Sequence, residues 1–128
     1  MNGPCVFCGH IAAGEVTVSN NLAAAFPDGF PISPGHTLVV PQRHEADYFA
    51  LTRYEQIAIL DLINEMRDRL TAEHSPDGFN VGLNSGEAAG QTVDHAHLHL
   101  IPRSHGDTPG PPDGVRWILP EKAREPGG

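Results

Sequence analysis

Apolar positions along the chain fall into a few regular segments. Leu22 to Phe26 is a short apolar run that predicts a strand. His36-Thr37-Leu38-Val39-Val40 is apolar and rich in β-branched residues. It predicts a buried strand stopped by Pro41, which has no N–H to give a ladder. Between them, Pro27 to Gly35 carries three prolines and two glycines, the composition of a rigid loop. Farther on, Ile59, Leu62, Ile63, Met66 and Leu70 recur at i, i+3, i+4, i+7 and i+11, one face of a helix of about twenty residues. Thr52 and Glu55 stand at the N-cap and N3 positions of a capping box at its start. Ser75-Pro76-Asp77-Gly78 ends it in a turn. Phe79 to Asn84 alternates as a strand, Ser85 to Gly90 is a loop of small residues, and Val93 to Ile101 alternates strictly as a last strand closed by Pro102. Strands grouped around one long helix, without βαβ alternation, predict an α+β fold with an antiparallel sheet.

The chain has 128 residues, enough for a single core. Residues 1–103 carry all of these segments. Residues 104–128 differ: ten of the 25 are Gly or Pro. They form a tail with one apolar island, Val115-Arg116-Trp117-Ile118-Leu119, expected to dock on its own subunit or on a partner's. No apolar run approaches the roughly 20 residues of a membrane span. The first residues, Met1-Asn2-Gly3-Pro4-Cys5, have neither the basic nor the apolar region of a signal peptide, so the expected compartment is the cytoplasm. A net charge of −8 argues against nucleic acid and anionic lipid as partners. It leaves room for a small anion in a pocket of neutral donors and histidines.

The candidate chemistry is concentrated in His95-Ala96-His97-Leu98-His99-Leu100-Ile101. Strand alternation puts the three histidines on one face and Ala96, Leu98 and Leu100 on the other, the core face. A lone histidine in a strand is usually only packed or exposed. Three in register serve no packing purpose, and at about 3.3 Å per residue the outer two stand too far apart to share one metal ion on a straight strand. They are therefore expected to do different jobs. A neutral imidazole is a competent nucleophile near pH 7. Just upstream, Asn84 to Thr92 is a polar loop of small residues whose backbone N–H groups, with Asn84, Gln91 and Thr92, suit an anion. It lacks the lysine of a P-loop. Cys5 and Cys8, spaced C-x-x-C, read as half a zinc site, a redox pair or two inert thiols.

These residues resemble the histidine-triad (HIT) superfamily of nucleotide hydrolases and transferases. His95 to Ile101 fits its H-φ-H-φ-H-φ-φ signature. Cys5-Val6-Phe7-Cys8, Ala13-Gly14-Glu15, Ala25-Phe26-Pro27-Asp28, Pro34 to Pro41, His44, Asn84 and Gln91-Thr92 follow the family pattern in order and spacing, over about residues 5–103. The resemblance implies a five-stranded antiparallel sheet with two helices, paired as a homodimer, acting at the α-phosphate of a purine nucleotide. It implies His97 as the nucleophile of a covalent nucleotidyl-histidine, with His99 on the phosphate and His36 in support. Asn84, Gln91 and Thr92 would bond the phosphoryl oxygens and leaving group, and Asp28 the ribose hydroxyls. Phe7, Ile11, Phe26 and Leu38 would wall the base. The bacterial branch implies structural Zn²⁺ on Cys5, Cys8, His44 and His95, with His10 the rival ligand by sequence proximity. A weakly catalytic, zinc-stabilised nucleotide-binding module is the alternative.

Overall fold

The computed structural model describes residues 4–109 and 114–123. The order of elements is α1 (Val6–Ala12), β1 (Val18–Ser19), β2 (Ala23–Pro27), β3 (Thr37–Pro41), α2 (Arg53–His74), β4 (Gly78–Leu83), β5 (Leu98–Arg103) and α3 (Pro120–Ala123), with short 3-10 turns between. The strands form one sheet in the order β1-β2-β3-β5-β4, and every neighbouring pair is antiparallel. This is the α+β, five-stranded architecture expected, with α1 and α2 as its two main helices.

The two faces of the sheet follow from alternation. Ala23, Ala25, Val39, Leu98 and Leu100 turn to one side and pack under the Ile59, Leu62, Ile63, Met66 and Leu70 stripe of α2. Ala24, Phe26, Leu38 and Val40 turn to the other and pack under Phe7 of α1. The central strands β2 and β3 are thus covered on both sides. α1 has only 7 residues. It lies over β2 and β3 and leaves β4 and the end of β5 uncovered on its side; a broad cavity opens there.

α2 runs 22 residues and starts at the expected capping box: Thr52 Oγ1 accepts from Glu55 N–H, and Glu55 accepts from Thr52 N–H. Ser75 at φ 48° stops it. The last strand differs from its expected span. β5 begins at Leu98, not Val93, and Pro102 lies inside it, opposite Phe79. β3 pairs with β5 only at Leu98, His99 and Leu100. Pro102 therefore sits where β5 has one neighbour, and its missing N–H breaks no ladder bond to β3. Residues 93–97 leave the sheet because Ala96 N–H donates to the Glu45 carbonyl of the preceding loop, at 2.7 Å. The alternation survives the bend: Ala96 joins the α2 core, and His95 and His97 meet Phe7 on the other side.

Candidate active site and metal centre

His97 is 7% exposed and packed edge-on against Phe7 and His99. Its Nδ1 lies 2.8 Å from the main-chain carbonyl of His95. A carbonyl can only accept, so Nδ1 carries the proton and the Nε2 lone pair is left for chemistry.

His36 and His99 are joined at 2.9 Å, Nε2 to Nδ1. The backbone fixes the direction. Ile32 N–H donates to His36 Nδ1 at 3.2 Å, so the His36 proton sits on Nε2. His36 Nε2–H therefore donates to His99 Nδ1, and His99 keeps its own proton on Nε2. Asp28 Oδ2 lies 3.3 Å from the same His36 nitrogen and 3.8 Å from His99 Nδ1, while Asp28 Oδ1 caps the loop by accepting from Phe30 N–H at 2.9 Å. Burial lowers the pKa of both histidines from the ordinary 6.5, Asp28 pulling the other way in each. For His99 the nearby His97 and His36 rings add to the lowering. The lowering favours the neutral rings that their hydrogen bond requires.

Asp28, His36, Asn84 and His99 line one cavity of about 1080 Å³. Its floor is the uncovered face of β4 and β5, and Trp117 and Leu119 of the tail line it as well. The apolar island thus folds over its own chain's cavity. Gln91, expected among the donors to the phosphoryl oxygens and leaving group, is engaged within its own loop: its Oε1 accepts from Gly86 N–H at 2.8 Å, and its Nε2 donates to the Ala46 and Val93 carbonyls at 2.8 and 3.1 Å. Both ends of the amide staple the loop. Thr92 is exposed and stands outside the cavity-lining residues.

A second cluster abuts the first. Cys5, Cys8, His44 and His95 bring one donor atom each within 4.8 Å of one another. His95 Nδ1 is 3.4 Å from Cys5 Sγ and 3.5 Å from Cys8 Sγ, and His44 Nδ1 is 3.4 Å from Cys8 Sγ. Bond lengths of about 2.3 Å to sulfur and 2.1 Å to nitrogen put tetrahedral ligands about 3.6 Å apart, so these donors fit a Cys₂His₂ ion site. The His95 tautomer fits too. Its Nε2–H donates to the Pro41 carbonyl at 2.8 Å, leaving the Nδ1 lone pair toward the sulfurs. Burial, then the hydrogen bond and charge of Cys5, push the Cys8 thiol pKa up. The rival His10 is elsewhere: its ring stacks on Phe26 at 4.8 Å and its Nδ1 is 3.4 Å from Glu15.

Sequence reasoning read Glu55 only as a cap. It is also buried and takes a two-pronged bond from Arg43, Nε to Oε2 at 3.0 Å and Nη2 to Oε1 at 2.9 Å. That bond ties the loop of His44 and Glu45 to α2. The signal was present, since Arg43 directly precedes His44, but nothing local pairs it with Glu55.

Comparison with known proteins agrees with this geometry. The family model described as the HIT domain matches residues 12–106. The chain belongs to the HIT family. It is 40% identical to a HIT family protein of Bacillus anthracis, with a TM-score of 0.72 over 84% of this chain and 78% of that one. A Zn-bound histidine triad family protein from Mycobacterium smegmatis is 30% identical, with a TM-score of 0.73 over 89% of this chain and 87% of that one. Two relatives from Schizosaccharomyces pombe bear enzyme names. Its adenosine 5'-monophosphoramidase is 36% identical over 77% of this chain and 74% of its own length. Its asymmetrical bis(5'-nucleosyl)-tetraphosphatase is 37% identical over 73% of this chain and 51% of its own length.

Proposed function

We infer that the protein is a nucleotide hydrolase cleaving at the α-phosphate of an adenosine 5'-phosphoryl compound through a covalent nucleotidyl-His97. The observation that carries this is the His97 Nδ1 to His95 carbonyl bond of 2.8 Å, which leaves the Nε2 lone pair of a buried ring that packs on His99, itself a lining residue of the cavity. Enzyme-named relatives support the substrate class, a purine nucleotide.

In the first step His97 Nε2 attacks the α-phosphorus. An Nε2–P bond forms, the bond from phosphorus to the leaving group breaks, and the leaving group takes up a proton. The imidazolium formed keeps its Nδ1–H on the His95 carbonyl. His99 offers its Nε2–H to the phosphoryl group, with its Nδ1 held by His36. Asn84 lines the same cavity and adds a neutral donor, and Asp28 holds the ribose hydroxyls. Water then attacks phosphorus and gives up a proton to solvent, replacing the one the leaving group drew from solvent, the Nε2–P bond breaks with its electron pair returning to nitrogen, and the nucleoside monophosphate departs. Splitting one displacement into two lowers each barrier. Gln91 acts by stapling the loop. Thr92 is assigned to the phosphoryl oxygens only as the family pattern implies.

Cys5, Cys8, His44 and His95 are proposed to hold structural Zn²⁺, which when bound would cross-link α1 to the loop between β3 and α2 and to the segment leading into β5. The exposed apolar face of α2, with Tyr54 72%, Ile57 46% and Leu60 49% exposed, supports a homodimer.

The test is turnover of adenosine 5'-phosphoramidate and of diadenosine tri- and tetraphosphate, side by side, in wild type and His97→Ala. A clear wild-type rate lost in the variant supports the reading, and the preferred substrate names the branch. Nucleotide binding without turnover would favour the regulatory binding module.

A further inference from the structure

The cysteine pair is linked to His97 by two indirect routes. The first runs through His95. Its ring nitrogen Nδ1 stands 3.4 and 3.5 Å from the Cys5 and Cys8 sulfurs, and its main-chain carbonyl accepts the His97 Nδ1–H at 2.8 Å. The same residue is thus a thiol partner at its side chain and the orienter of His97 at its backbone. The second runs through α1. Cys5 is its N-cap, with Sγ accepting from Cys8 N–H at 3.4 Å, and Phe7 stands between the two cysteines. The Phe7 ring lies edge-on to His95 at 5.9 Å and to His97 at 5.1 Å. The two sulfurs are within 4.8 Å of each other. Both cysteines are part-exposed and His44 is exposed, so small oxidants reach the cluster from solvent.

We propose that the Cys5–Cys8–His44–His95 cluster is a peroxide-sensitive clamp on His97: oxidation of the two thiols to a disulfide withdraws them from His95 and loosens the nucleophile. The proposal rests on the reading of His97 as nucleophile. The step balances. The Cys5 and Cys8 sulfurs each give up one electron and join in an S–S bond. Hydrogen peroxide takes both electrons, its O–O bond breaks, and two molecules of water form with two protons from the thiols. Where the sulfurs are held as thiolates by a divalent ion, the two protons come from solvent and the ion is released.

The consequence is local. A disulfide brings the sulfurs to about 2.05 Å. His95 Nδ1 then loses both sulfur partners, and Phe7 shifts with the helix that carries Cys8. kcat should therefore fall, by about tenfold or more if His95 behaves as an outer-sphere orienter.

The experiment uses the full chain loaded with zinc. Peroxide is titrated in while three quantities are followed: zinc release with a chromogenic chelator, a Cys5–Cys8 disulfide by peptide mapping, and turnover. Nitrogen-15 spectra of the histidine rings report the His97 Nδ1–H directly, independent of any substrate. The expected result is that zinc release, disulfide, loss of kcat, and displacement of the His97 Nδ1–H signal rise together. All should reverse with dithiothreitol plus zinc. A Cys5→Ser, Cys8→Ser double variant should not respond to peroxide. Disulfide formation with kcat and the His97 signal unmoved would overturn the proposal, and so would the absence of a disulfide in excess peroxide. If the untreated protein turns over nothing, the functional reading has failed, and the His97 signal alone decides the clamp.

Discussion

His36 and His99 share one proton position: Nε2–H of His36 donates to Nδ1 of His99 at 2.9 Å, and the backbone N–H of Ile32 on the far side of the His36 ring sets that direction. The arrangement needs both rings neutral. Protonating His99 Nδ1 would set two N–H groups against each other. Burial already lowers both pKa values below 6.5. Turnover should therefore be flat from pH 8 to pH 6.5 and fall only at lower pH, as the lowered folded values are passed. A rate that already falls between pH 8 and pH 7 would count against the network.

The same pair gives a stability prediction with a definite sign. The folded pKa values lie below the ordinary 6.5, so the unfolded chain takes up protons first as pH drops. Stability is full above pH 6.5 and declines as pH falls through the lowered folded values. Tm should drop between pH 7 and 5 more steeply in wild type than in His36→Asn. Equal slopes would show that His36 is not part of this linkage.

Glu55 is pulled down to a pKa of about 2, chiefly by its hydrogen bonds from Arg43, with burial opposing and Thr52 assisting. Its contribution is present above pH 4.5 and is lost as pH falls toward 2. Arg43 is 49% exposed, which weakens the pair, so Glu55→Gln should cost about 2 kcal/mol at pH 7. Because the bond anchors the loop of His44, the variant should also lose zinc to a competing chelator sooner. Urea denaturation and chelator competition check both.

Gly35 holds φ at +88°, and a Cβ there would meet Leu70 Cδ2 and His74 Cδ2 at 2.9 Å. It immediately precedes His36. Gly35→Ala should cost about 1–3 kcal/mol from the left-handed backbone and the clash together. It should also lower kcat by moving His36. A variant with wild-type Tm and kcat would mean that the loop absorbs the methyl group.

The sequence disclosed most where the rule is local. The α2 stripe and its capping box read correctly because a 3.6-residue period and an N3 glutamate depend on near neighbours only. The inward turn of Leu98 and Leu100 followed from alternation. The ends of β5 did not: its start is set by the Ala96 N–H bond to the Glu45 carbonyl, and Pro102 is tolerated near its end because β3, some sixty residues earlier, stops pairing at Leu100. The His95 tautomer is set by the Pro41 carbonyl, 54 residues away. The coming together of Cys5, Cys8, His44 and His95 was implied by family likeness and not by spacing. The bond from Gln91 to Ala46 was not legible either, because the two lie 45 residues apart.

The central claim is that His97 Nε2 forms a bond to phosphorus. Reaction with an adenosine 5'-phosphoryl substrate is quenched in alkali within one turnover and the peptide bearing His97 is analysed by mass. An adenylyl group on His97, lost on acidification and absent in His97→Ala, is the predicted result. Steady turnover with no adduct in the wild-type peptide, or turnover persisting in His97→Ala, would contradict it.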